Sequence, residues 1–262
     1  MKRDQNDQRI ALFIDFENLV TRTGHQADTF DLQPALDILL EKGKVVFRRA
    51  YADWTRFAAA TQRLHDKGVE LIDVPPSTRA GKNGADVRLV IDALELCYLR
   101  EHIDTFVLAS GDSDFCPLAY KLRENDRTVI GMAVKEATSP LFVKACDEFI
   151  YLRAPGQKRR ESAEAPREKA APPKEKVIPD IAREAAAGIL AKAAGPVNPS
   201  AVKAAVVRRE PDFDERDHGF SSFTRLLEAM EKQGLLRLEQ GAKGQWYVLP
   251  PAESPADPAD QA

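Results

Sequence analysis

Three short stretches of the chain carry acids where a folded core has no use for them. "RIALFIDFENLV", residues 9 to 20, is an apolar, strand-forming run that ends in Asp15 and continues into Glu17 and Asn18. "TFVLAS" ends the same way and runs into "GDSDF", which sets Asp112 and Asp114 just past its end. "KNGADVRLVIDAL" puts Asp86 at the expected start of a helix. Free backbone N–H groups and the helix dipole favour a carboxylate there, so capping alone would also explain it. An unpaired carboxylate is costly to bury, so acids at strand ends belong on an open rim. Crowded carboxylates raise one another's pKa, and a cluster of Asp15, Asp86, Asp112 and Asp114 therefore calls for a compensating cation. A ligand set made only of oxygens selects Mg²⁺ or Mn²⁺, and the lack of Cys or His in it disfavours zinc. The chemistry open to such a cluster is metal-assisted cleavage of a phosphate ester, one ion polarising a water to attack phosphorus while a second, if present, stabilises the leaving oxygen.

Asp92 stands apart from this set. It lies six residues after Asp86, about 240° round a helix, so the two cannot share a face. It follows Arg88 by four residues and can pair with it. Its expected place is behind the site, supporting the ligands without touching the ion.

The elements that must position these acids alternate in type. "RIALFI", "KVVFRRAY", "VELIDV", "TFVLAS", "TVIGMAV" and "EFIYL" read as strands. "QPALDILLEK", "FAAATQRLHDKG", "ADVRLVIDALELCYLR" and "FCPLAYKLREN" read as the helices between them. This alternation predicts an α/β fold, a mostly parallel sheet with helices on both faces. The functional crevice of such a sheet lies at the carboxyl ends of its strands, where strand order reverses. The first and fourth strands are commonly neighbours at that point, which would bring Asp15 close to Asp112 and Asp114.

The 262 residues are divided by composition. "APGQKRRESAEAPREKAAPPKEK", residues 154–176, mixes Pro, Ala and dense charge and cannot bury a core. It is expected to link a domain over 1–153 to a smaller one over 177–249, with a disordered tail over 250–262. The net charge of −3 gives no global basic field, so any polyanion must be held by local geometry. Three cysteines without a CxxC pair and four scattered histidines exclude a disulfide framework and a thiolate zinc site. A polar start and the lack of any apolar run near ~20 residues lead to the expectation of a cytoplasmic protein with no membrane span.

"FIDFENL", "KNGADVRLVIDAL" and "ASGDSDFCPLAYKLR", in this order, resemble the NYN family of PIN-like ribonucleases, in its LabA-like branch. The resemblance covers residues 9 to about 152 and implies a PIN-like fold and a Mg²⁺- or Mn²⁺-dependent nuclease acting on RNA. It implies that Asp15, Asp86, Asp112 and Asp114 form the acidic centre and that Asn18 orients it or contacts substrate. Lys82, in the loop before Asp86, matches a lysine often found there and becomes a candidate phosphate contact. An alternative likeness is to the phosphatase-like HAD enzymes, whose first strand ends in DxD. Here Glu17 replaces the second Asp, and the later spacing differs.

Beyond the linker, "PDIAREAAAGILAKAA", "NPSAVKAAVVRREP" and "FSSFTRLLEAMEKQG" read as helices and "LLRLEQGAKGQWYVL" as a hairpin, a winged-helix layout. "PDFDERDHGFSSFTRLLEAM" resembles the LOTUS, or OST-HTH, domain, a module associated with RNA binding and with partner proteins. Phe213, Phe220, Phe223 and Leu227 fall at core spacing. Arg208, Arg209, Arg216, Arg225 and Lys243 are the candidate phosphate contacts, and either Trp246 or Tyr247 faces solvent, where it could stack on a base. Together the two halves predict a metal-dependent endoribonuclease with a module that holds RNA or a partner protein. A catalytically silent RNA-binding scaffold is the alternative.

Overall fold

The computed structural model describes residues 8–21, 30–75, 84–152, 176–193, 195–241 and 244–251. Lys82, Lys243, nearly all of the expected linker and the expected tail past residue 251 lie outside them. The chain divides into two compact units, Met1–Arg160 and Glu161–Ala262.

In the first unit the strands are β1 (Gln8–Asp15), β2 (Gly43–Ala52), β3 (Glu70–Asp73), β4 (Thr105–Ala109), β5 (Thr128–Val134) and β6 (Glu148–Leu152). They form one sheet in the order β3-β2-β1-β4-β5-β6, with every pairing parallel. The chain winds outward through β1, β2 and β3, then crosses back over β1 to enter β4. Strand order therefore reverses between β1 and β4, as the sequence led one to expect. Both faces of β1 are covered, which explains its unbroken apolar run: Ile10 through Ile14 are fully buried.

The helices are α1 (Phe16–Thr21), α2 (Gln33–Lys42), α3 (Ala58–Asp66), α4 (Gly84–Leu99), α5 (Cys116–Glu124) and α6 (Pro140–Ala145). Sequence patterning missed α1 and α6, each six residues long. Helix α4, the crossover from β3 to β4, determines where Asp86 goes. Side chains alternate between faces along a strand, so Phe13 and Asp15 share one face of β1. Phe13 stacks there on Tyr51 and Phe106, at ring separations of 6.5 and 6.0 Å. Asp92 of α4 accepts hydrogen bonds from Tyr51 Oη and Arg49 Nη1, each at 3.0 Å, so α4 lies over this face. Its first turn, with Asp86, thus falls on the Asp15 side of the sheet.

In the second unit, α7 (Asp180–Leu190), α8 (Pro199–Val207) and α9 (Phe223–Lys232) precede an antiparallel pair, β7 (Arg237–Gln240) and β8 (Trp246–Leu249). Asn198 caps α8 by accepting from Ser200 N at 2.8 Å, and Ser222 caps α9. Phe213, Phe220, Phe223 and Leu227 are buried in a core of their own with Val202, Leu226 and Val248. Gly244 turns the hairpin at φ 76°, a left-handed conformation that favours glycine. A further bridge joins Val197 to Val248 and completes a winged-helix arrangement.

Candidate active site

Asp15 ends β1, and α1 begins with the next residue. The pairing Ile14↔Ala109 brings the following residue of each strand, Asp15 and Ser110, side by side at the rim. Ser110 Oγ lies 2.9 Å from Asp15 Oδ2 and accepts the backbone N–H of Asp112 at 3.2 Å. One hydroxyl thus ties the two strand ends together. Asn18 closes the other side: its N–H donates to Asp15 Oδ1 at 3.2 Å, and its Oδ1 accepts from Gly111 N at 3.2 Å. The first turn of α1 therefore locks the β1 rim to the β4 rim. Gly111 has no room for a side chain, because a Cβ there would sit 2.3 Å from the Ala137 carbonyl oxygen.

Asp15 is 5% exposed. Burial pushes its carboxyl up to about 7; the neighbouring Asp86 and Asp112 carboxylates push the same way, against the hydrogen bonds from Asn18 and Ser110. The structure thus brings Asp86 and Asp112 each within electrostatic reach of Asp15. Asp114 is exposed at the outer edge of the turn, and its N–H caps Asp112 Oδ1 at 3.1 Å. A concavity of about 470 Å³ opens beside Asp112, between the turn at 111–113 and residues 136–139.

These residues suit a hard cation. Asp15 has two hydrogen-bond donors and two further acids as neighbours. Among the described residues no three His, Cys, Asp or Glu side chains close tightly round one point. Mg²⁺ retains several waters and needs only one or two carboxylates directly, so a loosely spaced acidic rim is compatible with it.

The other sequence candidates fall in different surroundings. Asp92 is fully enclosed and takes Arg88 Nε at 2.9 Å as well as Arg49 and Tyr51, which makes it the anchor of α4 on β2. Glu17 pairs with Arg56. In the second unit Arg216 is held in a fork by Asp214, through Nε at 3.0 Å and Nη2 at 2.9 Å. Arg225 pairs with Glu228 at 2.7 Å and Arg209 with Glu184 at 3.7 Å, while Arg208 is exposed. Trp246 is the exposed aromatic of β8, at 45%.

Sequence reasoning passed over Ser110, whose only signal was its place between a strand and "GDSD". It also passed over Asp53, 7% exposed at the end of β2, which accepts from Thr55 N at 3.1 Å and shapes a turn. Among the described residues no helix is long and apolar enough to cross a membrane.

Comparison with known proteins agrees with this layout. An uncharacterized protein of Methanocaldococcus jannaschii is 27% identical over 163 residues, which is 62% of this chain and 63% of the relative. The chain thus spans less than two thirds of the length of that curated relative. The crystal structure of a protein of unknown function from Vibrio parahaemolyticus superposes with a TM-score of 0.50 at 24% identity, over 58% of this chain and 97% of that one, and shares the fold. The OST-HTH/LOTUS domain model, a module associated with RNA binding, matches residues 174–248. The NYN domain model matches residues 9–153, more than half of the chain, and the chain belongs to the NYN family, with its nuclease-like fold.

Proposed function

We propose that the first unit is a divalent-metal-dependent endoribonuclease and that the winged-helix unit holds the RNA. The observation that carries this reading is the joining of Asp15 to Asp112 through the Ser110 hydroxyl, with Asp86 in electrostatic reach of Asp15, at the strand-order reversal of an NYN domain. Asp15, Asp86, Asp112 and Asp114 would hold Mg²⁺ or Mn²⁺, which when bound polarises a water and the scissile phosphate oxygens. Ser110 and the Asn18 N–H fix the direction of the Asp15 carboxylate. Alone, Asp15 is mostly protonated below about pH 7, and it would give up that proton to hold a cation. Asn18 is held by Gly111 N, so its role is to keep the two strand ends in register. Lys82, Lys243 and Arg208 are proposed phosphate contacts. Arg209, Arg216 and Arg225 are candidates that would first have to leave their acidic partners. Trp246 offers a stacking face.

NYN membership displaces the phosphatase-like alternative. Purified protein incubated with labelled single-stranded RNA is expected to cut it internally with Mn²⁺ or Mg²⁺ and to stop on addition of EDTA. Cleavage that persists in EDTA would overturn the metal dependence. Metal-insensitive RNA binding without cleavage would leave the silent scaffold.

A further inference from the structure

Helix α4 buries one face and leaves the opposite face apolar. Leu89, Asp92, Ala93 and Cys97 are buried. Val87, Ile91 and Tyr98 are 55%, 54% and 57% exposed, and Leu94 between them is half-buried. At 100° per residue these four positions fall within an arc of about 60°, on the side where a surface helix normally carries charge. Tyr120 of the neighbouring α5, 51% exposed, is a further exposed apolar side chain. Helix α5 packs along α4, with Lys121 in electrostatic reach of Tyr98.

We propose that this stripe pairs with the same stripe on a second copy of the chain, α4 against α4 across a two-fold axis. The spacing selects that occupant. Positions 87, 91, 94 and 98 are separated by 4, 3 and 4 residues, a pattern that reads the same in both directions. An antiparallel helix of the same sequence therefore presents a matching row: Val87 meets the partner subunit's Tyr98, and Ile91 meets the partner subunit's Leu94. Such self-complementarity is the property of an isologous dimer contact.

Charge supports the same register. Arg88 and Glu95 lie on one edge of the stripe, and the pairing sets Arg88 beside the partner subunit's Glu95, offset along the axis by about 3 Å. The contact occurs twice by symmetry. Arg88 binds its own Asp92 through Nε and remains 55% exposed, and Glu95 is exposed. The 16 residues of α4 extend about 24 Å, which gives the pair a long seam.

The test uses the full-length chain and sedimentation velocity across a concentration series. The expected species is a dimer of the 29.1 kDa chain. Ile91→Glu and Tyr98→Glu, both at exposed positions, are each expected to give a monomer with an unchanged circular dichroism spectrum and a cooperative melt whose midpoint no longer depends on protein concentration. Register is read by mild oxidation: Ile91→Cys with Leu94→Cys should form a covalent dimer, whereas Val87→Cys with Ile91→Cys should not. A wild-type chain monomeric throughout would give the stripe to another protein or to the chain's own second unit and overturn the pairing. A dimer that survives both glutamate variants, or that is trapped only by the second cysteine pair, would overturn it as well.

Discussion

Asp15 illustrates what a single buried acid imposes on its protein. An isolated aspartate titrates at 3.8, whereas in the fold burial and two neighbouring acids hold this one at about 7. Between those values the native state keeps a proton that the unfolded chain has released, so stability falls as pH rises through the window. Metal-free protein should therefore melt lower at pH 8 than at pH 5 as far as this group is concerned. Asp15→Asn removes the charge, keeps the shape, and should flatten that part of the decline and raise the metal-free melting temperature at pH 8 by at least ~3 °C. Mn²⁺ should raise the wild-type melting temperature and leave the variant nearly unmoved. Thermal melts over pH, with and without Mn²⁺, check both statements; a variant that melts with the wild-type pH profile would remove Asp15 from the coupled set. For catalysis, Asp112→Asn should lower turnover at least tenfold, about 1.4 kcal/mol of barrier, with the fold intact. Initial rates of RNA cleavage at saturating Mn²⁺ decide this, and unchanged turnover would take Asp112 out of the site.

Helix α4 is the element on which the site depends, because it carries Asp86 and is pinned by the enclosed carboxylate of Asp92. Tyr51→Phe deletes one of the three hydrogen bonds to that carboxylate and should cost about 1–3 kcal/mol of stability. Asp92→Ala leaves Arg49 and Arg88 without it and should cost more. Denaturant titration measures both, and a Tyr51→Phe protein as stable as wild type would mean that water replaces the hydroxyl. The Arg88–Asp92 half of this anchor was legible in the sequence, since residues four apart meet on any helix. Tyr51 and Arg49 were not, because 41 and 43 residues separate them from Asp92 and only the sheet register brings them there. Strands β1, β4 and β5 were legible because strands covered on both faces are apolar almost without interruption, and β2, β3 and β6 because they alternate with helical segments. The short helices α1 and α6 carry too few residues to display a period, although Ser139 capping α6 and Pro140 at its start were a signal in plain view. Ser110 was illegible because a small hydroxyl acquires its role only when β1 and β4 lie side by side.

At the scale of the whole molecule there are two units with separate cores, and the proposed function gives cutting to the first and holding to the second. Every acid of the proposed centre lies before residue 115, so all of them remain when the second unit is removed. The first unit's net charge is too nearly balanced to attract RNA strongly from a distance, and affinity must come from a limited number of placed cations. Several of those proposed in the winged helix are already paired with acids in the free protein, and phosphate would have to displace Asp214 or Glu228 to reach Arg216 or Arg225. Exposed ion pairs of this kind are worth little, so the exchange is feasible. Deleting residues 177–262 should then weaken RNA binding and flatten its dependence on salt, by about 0.7 in the logarithmic slope for each single-strand phosphate that the protein no longer neutralises. Cleavage at saturating RNA should persist. Fluorescence anisotropy over a salt series, run on the full chain and on the truncated one, measures affinity and slope, and initial cleavage rates on the same two proteins measure the third quantity. Equal affinity and equal slope would refute the holding role and leave the winged helix as a dock for a protein.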